Sequence, residues 1–369
     1  MAPGDLMKKK RDQRGHSTNS ITELDRQELV SKVCRLFCEG KHSLAAIGKM
    51  LGIGRELPYR LLQHEASLHR FEYVAPLQFD QAHRLETLHP WVRLRVVHST
   101  LPSDVAFQTA KWLADLIRQH RREKPERDDV HIGFAGGALL SETARLLAGI
   151  LREPSEDFRQ LTFVFHAIVA GFNPTNPLYD PNAFFGYFAG EPTLQVSFVN
   201  LLAPGFVTAE AARTLRTIKA IEDAYARAKE LDIVVTSAGA HWMKGHSRLA
   251  QLYKEEGPAQ SLTELEKAKT IGDLLWRPIS DSGPVEIETG VRALTLIDLP
   301  DLPPLIRAGN KVVLALGPCG SCGGPKGDVL RAVLSWKGHY ITHAVVDTRT
   351  AAEALSQIGK HASNADADY

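Results

Sequence analysis

The chain changes its hydrophobic rhythm near residue 76. Before that point apolar residues recur at helical spacing; after it, such helical stretches alternate with short runs that are apolar at nearly every position. In LVSKVCRLFCEGK, Leu29, Val33, Leu36 and Phe37 share one face, and Gly40 stands where a helix commonly ends. In SLAAIGKMLGIGRELPYRLLQHEASLH, Ser43 is placed to cap a short helix carrying Leu44, Ile47, Met50 and Leu51, GIG makes a turn, and a third helix carries Leu57, Leu61 and Leu62. HRFEYVAP then alternates like a short strand. Helices joined by a tight glycine turn and followed by a strand are the plan of a winged helix-turn-helix. Pro58 disturbs that plan. In a helix begun at the glycine turn it removes an N–H from the first turn, so the helix either starts late or bends.

Beyond Pro76, LETLHPWVRLRVVHS reads as a short helix broken before Pro90 and a strand through Val96 and Val97. DVAFQTAKWLADLIRQHRREK, ALLSETARLLAGIL, AARTLRTIKAIEDAYARAKE, SLTELEKAKT and GDVLRAVLSW have helical periodicity. Between them lie the strand-like runs DDVHIGFAGG, LTFVFHAIVAGF, LDIVVTSAG, NKVVLALG and YITHAVVD. Strands apolar on both faces, alternating with helices, predict a mostly parallel sheet covered on both sides. The expected fold is therefore α/β: a tail over 1–20, a winged helix-turn-helix over 21–75, a linker over 76–100, and an α/β domain over 101–360.

Composition narrows the function classes. A length of 369 residues accommodates more than one domain, and a formal net charge of +1 supplies no global field for nucleic acid or anionic membrane. The local exception is the tail, where Lys8, Lys9, Lys10, Arg11 and Arg14 outnumber Asp5 and Asp12; it reads as a solvated, disordered segment or a DNA-touching arm. No apolar run follows it and none elsewhere is long enough to span a bilayer, so no secretory leader and no membrane partner are expected. The cysteines, Cys34, Cys38, Cys319 and Cys322, are too few for a disulfide scaffold, which fits a reducing cytoplasm.

Chemistry in an open parallel sheet is expected beyond the carboxyl ends of its strands, where helix N-termini present free N–H groups. Glycine-rich or small-residue ends occur in GFAGGALLS, VVTSAGAHW, LALGPCGSCGGPKGD and VVDTRTA. The CxxC of Cys319 and Cys322 supplies two metal ligands where a structural zinc site wants four. His241, His246, His339 and His343 could complete a site in space, but nothing in their spacing asks for it, so neither metal nor cofactor is expected. A redox pair remains a reading of the CxxC, although Gly323, Gly324 and Pro325 separate it from the helix that would lower a thiol pKa.

The segment from ELVSKVCRLFCEGKHS through HRFEYV resembles, without a gap, the N-terminal winged helix-turn-helix of SorC-family transcriptional regulators. The resemblance implies that the helix after the turn enters the major groove, with Arg55, Tyr59 and Arg60 near operator DNA. Residues 90 to 357 resemble the effector domain of the same family. The matching elements are Gly133, Gly136 and Gly137; the strand from Asp232 to Gly239; Gly272, Asp273, Leu274 and Arg277; then Gly323, Gly324, Lys326, Asp347, Thr350 and Ala351. Where the family continues its first glycine turn with a polar pair, this chain has Ala138 and Leu139, with Ser141 one turn on, and its loop over 317–325 is longer.

That resemblance implies a fold related to sugar-phosphate isomerases and deaminases, a sugar or sugar-phosphate effector, and a homo-oligomer, dimer or tetramer, acting in transcription. The expected effector site comprises Gly136, Gly137, Ser141, Asn173, Ser237, Gly239, Asp273, Gly323, Gly324, Lys326 and Asp347. Lys326 and glycine amides suit a phosphate; Asn173, Asp273 and Asp347 suit hydroxyls. Asp347 is equally a helix N-cap, and Asp273 equally a turn brace. Two other readings stay open: an isomerase- or deaminase-like enzyme on the same sheet, and an effector sensor without DNA binding. No catalytic residues are assigned, because no carboxylate-histidine constellation is evident.

Overall fold

The computed structural model describes residues 23–38, 42–54, 56–67, 74–152, 155–158, 160–171, 179–189 and 194–365. The tail over 1–20, Gly40, Arg55, Asn173 and most of the expected wing, 69–73, lie outside these residues. The chain divides into two units, Met1–Tyr73 and Val74–Tyr369.

The first unit carries helices Glu23–Cys38, Leu44–Met50 and Leu57–Ser67. Val33, Ile47, Leu61 and Leu62 form its buried centre, with Leu29, Leu36, Leu44 and Leu57 packed around them. Ser43 caps the second helix, its hydroxyl accepting the Ala46 N–H at 3.2 Å. Gly52 turns the chain at φ +66°, a left-handed conformation that costs glycine least. The third helix starts late, at Leu57, which puts buried Pro58 in its second position. There the missing N–H is one of the first-turn donors that have no helical acceptor, so the proline is tolerated. Phe37 and Met50, expected with the core, are 39% and 55% exposed; each sits at the margin of its helix's apolar stripe, beyond the reach of this small core.

The second unit is organised by strands β1 (Arg93–Val97), β2 (Asp129–Phe134), β3 (Thr162–Ala167), β4 (Gln195–Val199), β5 (Phe206–Thr208), β6 (Ile233–Gly239), β7 (Gly272–Leu274), β8 (Arg277–Ser280), β9 (Gly283–Pro284), β10 (Val291–Ala293), β11 (Lys311–Leu316) and β12 (His343–Asp347). The main sheet runs β1-β12-β11-β6-β2-β3-β4, all parallel, with β7, β8 and β9 added antiparallel from the end of β6. Consecutive residues of β6, β11 and β12 are buried, so helices or loops cover both faces. Residues 76–100 are part of this unit rather than a free linker: β1 pairs along its whole length with β12, and Leu85, Val92, Leu94 and Val96 join the main core.

Two elements differ from their periodicity. The stretch AARTLRTIKAIEDAYARAKE forms two helices, Ala209–Leu215 and Lys219–Arg227. At the break the Thr217 hydroxyl and N–H both turn back to the Thr214 carbonyl, closing the first helix. Strand β4 lies at the sheet edge and is only partly buried, so its sequence lacks the run of apolar residues that marks its inner neighbours.

Candidate functional site

In chain order β2, β3 and β4 proceed toward one edge of the sheet, whereas β6, β11 and β12 lie on the other side of β2. The direction of winding reverses between β2 and β6, and that switch point opens a crevice at the strands' carboxyl ends. A cleft of about 430 Å³ occupies it, lined by residues including Gly137, Tyr179, Ser237, Arg248, Trp276 and Lys326.

The backbone at this edge is built around close approaches. Gly136 lies against the Tyr179 carbonyl, 2.8 Å from where a Cβ would stand, and Gly137 has φ +120° and donates its N–H to that same carbonyl. Ala138 and Leu139 then open the helix Ala138–Arg152, and both line the cleft at its N-terminus. Ser141, one turn on, is buried and its hydroxyl meets the Tyr187 hydroxyl at 3.1 Å, so it is not part of the lining.

At the end of β6, Gly239 pairs with Asp273 of β7. A Cβ at Gly239 would stand 1.9 Å from an Asp273 carboxylate oxygen, so no side chain fits there. Asp273 accepts from the Ser247 hydroxyl at 2.7 Å, and burial pushes its pKa up despite that bond, the Gly239 N–H and the nearby Lys326 charge. It braces the β6–β7 junction. Asp347 is fully buried and caps the last helix: Oδ1 accepts the N–H groups of Arg349 and Thr350, and Oδ2 accepts the Thr350 hydroxyl. Both carboxylates are thus held by the protein's own donors.

Lys326 keeps part of its surface open to the cleft and directs its ammonium inward, donating to the Ala238 carbonyl at 2.7 Å. Burial lowers its pKa, opposed by the charges of Asp273, Cys319, Asp347 and Asp328. Gly323 and Gly324 close the preceding loop on itself: Gly323 N–H donates to the Cys319 carbonyl and Cys319 N–H to the Gly324 carbonyl. Neither glycine lines the cleft; Pro318, Gly320 and Ser321 do. The structure therefore gathers Gly137, Ser237 and Lys326 in the lining, with Gly136, Gly239 and Asp273 directly behind it.

Arg248 and Trp276 belong to the lining and were not legible as site residues. Arg248 opens the helix Arg248–Glu256 behind the N-cap Ser247 and bonds Gln251 and Glu255, while its buried Nε has no partner among the described residues. A basic residue at a helix start, in the segment that follows a strand-end glycine, was the available signal. Trp276 sits with Leu275 in the tight turn between β7 and β8, both at positive φ of 58° and 50°. Non-glycine residues rarely adopt that conformation, and here it brings the indole beside Gly136.

A second cleft, of about 400 Å³, lies beneath residues 284–292, lined by Tyr253, Arg277 and Asp298 among others. Its buried Arg277 already bonds Asp298 at 2.7 Å and Thr295 at 2.8 Å, and Arg292 bonds Asp298 at 2.6 Å. Those charges are consumed internally, which leaves the strand-end cleft as the stronger candidate. Among the described residues no helix is long and apolar enough to cross a membrane. In the first unit Tyr59 is 57% exposed, and Arg60 lies exposed beside it with a 3.4 Å ion pair to Glu56.

No protein-family model matches the sequence, and no curated protein matches it. Solved structures do. The full-length sorbitol operon regulator SorC from Klebsiella pneumoniae superposes with a TM-score of 0.54 at 18% identity, covering 90% of this chain and 99% of that one. A transcriptional regulator from Streptococcus pneumoniae matches with TM-score 0.55 at 18% identity, over 76% of this chain and 97% of its own. A putative sugar-binding domain of a transcriptional repressor from Vibrio fischeri gives TM-score 0.55 at 11% identity, over 76% and 99%. The chain thus has the fold of SorC-type regulators.

Proposed function

We propose that this protein is a SorC-like transcriptional regulator whose strand-end cleft binds a sugar or sugar-phosphate effector and whose N-terminal helices bind operator DNA. The observation that carries the reading is the pairing of Lys326 and Arg248 with hydroxyl-bearing and aromatic residues in one cleft, at the switch point of this fold. Two cations and the N-terminus of the helix Ala138–Arg152 suit a phosphate; Ser237, Tyr179 and Gln251 suit hydroxyls; the Trp276 ring suits an apolar sugar face. The solved proteins of similar fold are described as sugar-binding domains or operon regulators, which favours a regulator over an enzyme.

The exposed Tyr59 and Arg60 on the late-starting helix are the DNA-facing residues in this reading, with Arg55 just before it. Effector binding shifts the population between arrangements of a homo-oligomer, dimer or tetramer, and so alters how paired N-terminal units meet operator half-sites. An electrophoretic mobility assay with DNA from upstream of the protein's own gene tests this. Retention at low salt that weakens steeply as salt rises is expected, and Arg60→Ala should lower the salt slope by about 1. Failure to retain any such fragment at low salt sinks the DNA-binding half of the reading and leaves the effector half standing.

A further inference from the structure

The loop after β11 and the turn after β6 converge on a cluster that none of the proposed effector contacts uses, although its His246 also lines the cleft. Cys319 Sγ, Cys322 Sγ and one ring nitrogen of His241 all lie within 4.8 Å of one another. His246 adds a second imidazole, its Nδ1 3.9 Å from Cys319 Sγ. The sequence count of two ligands missed this because the histidines come from a neighbouring strand: β6 lies directly beside β11, so their carboxyl-end loops meet.

Two observations point to a ligand. His241 Nε2 is buried and has no hydrogen-bond partner among the described residues, a cost the fold has no evident reason to bear. A Cβ on Gly324 would stand 3.1 Å from Cys322 Sγ and 3.2 Å from that same Nε2, so the absent side chain leaves both donors room to turn toward one point. A disulfide between the cysteines would leave His241 Nε2 still unpaired; a metal ion satisfies all of them together.

We propose that Cys319, Cys322 and His241, with His246 as the fourth donor, bind a zinc-class divalent cation that clamps the loop over 317–325 to the end of β6. Two thiolates and two neutral imidazoles are a common tetrahedral donor set, and they cancel the charge of a divalent ion, so no net charge is buried. Soft sulfur donors select this class over magnesium or calcium. Bond lengths of about 2.0–2.3 Å bring tetrahedral donors to within roughly 3.8 Å of each other, so closure asks His241, Cys319 and Cys322 to move by about 1 Å, and His246, which lies outside that group of three, to turn further. The clamped loop supplies Pro318, Gly320 and Ser321 to the wall of the cleft, and His246 lines the same cleft.

The test is a cobalt titration of the full chain, purified under reducing conditions and stripped with a chelator. It needs neither sugar nor DNA, so its outcome is independent of the proposed function. The expected result is saturation at one Co²⁺ per chain, with thiolate-to-metal charge-transfer bands, the intense visible bands of tetrahedral cobalt, and displacement by Zn²⁺. Cys322→Ser, at an exposed position, and His241→Ala should each weaken binding at least about tenfold, the loss that removal of even an outer partner causes. His246→Ala should keep the charge-transfer bands and alter the visible ones. Circular dichroism of each variant establishes that it is folded. Pale octahedral cobalt bands alone, or unaltered tetrahedral bands in a folded His241→Ala, would overturn the assignment.

Discussion

The two ends of the same parallel sheet are built on opposite principles. At the amino ends of β2 and β6 the charges are paired almost to completion. Buried Asp232 accepts from Lys124 at 3.0 Å, Arg127 at 2.7 Å and the His131 N–H at 3.0 Å, and Arg127 also pairs with Asp129 at 2.7 Å. The network continues from His131 to His166 at 2.9 Å. At the carboxyl ends, glycines meet backbone and carboxylate at short range, His241, Leu275 and Trp276 hold positive φ, and Arg248 Nε and His241 Nε2 lack partners among the described residues. The amino ends of β2 and β6 spend their charges on stability, although elsewhere at that end both His89 ring nitrogens lack partners among the described residues and Gln160 and His339 hold positive φ; the carboxyl end adds an unpartnered cation nitrogen beside a cleft. Sheet geometry alone does not require that asymmetry, which supports the proposed placing of the effector site at the carboxyl ends.

The largest stability loss should come from breaking the paired end. Asp232→Ala strands Lys124, Arg127 and the His131 N–H, and should cost about 3–5 kcal/mol in urea denaturation while a bound effector still raises the melting temperature. Next is Gly239→Ala, which forces a Cβ onto the Asp273 carboxylate; about 1–3 kcal/mol should be lost, and here effector response should fall with it.

A pH series sharpens the same contrast. Burial, aided by His131 and Arg227, pushes His166 down to about 3; burial, aided by Lys311, Arg93 and Arg95, pushes His343 down to about 4. The unfolded chain therefore takes up these protons first as pH falls. Their contribution is fully present above pH ~6.5 and is lost progressively as pH drops toward 4 and then 3, at no more than about 1.4 kcal/mol per pH unit for each residue. The urea midpoint should decline through that window, and His166→Phe should flatten the decline. An unchanged slope in that variant would mean that His166 is not held neutral.

The inner strands were legible because β2, β6, β11 and β12 are buried on both faces and so read as unbroken apolar runs. The hairpin of β7 and β8 was not, because its turn is Leu275-Trp276 rather than the asparagine-glycine pair that ordinarily marks one. Lys326 could be singled out from its glycines and the helix after them. Arg248 and Trp276 enter the cleft through β6 and its antiparallel annex, and the approach of His241 to the CxxC depends on β6 lying beside β11. Strand order across a sheet has no local signature. The oxygens of Asp273 and Asp347 serve the junction and the helix cap, the roles that the turn-brace and N-cap readings give them.

The smallest expected effect on stability is at Lys326. Removing an ammonium held in a packed surround should change folding by less than about 1 kcal/mol, since the charge is costly to bury and its loss offsets the lost bond to Ala238. Its effect on recognition should be large. The decisive measurement is a thermal-shift comparison of the wild-type chain and Lys326→Met against matched phosphorylated and free sugars. At least one sugar phosphate should raise the wild-type melting temperature more than its unphosphorylated counterpart does, and that difference should vanish in Lys326→Met. An equal response to the sugar phosphate in both proteins would contradict the account.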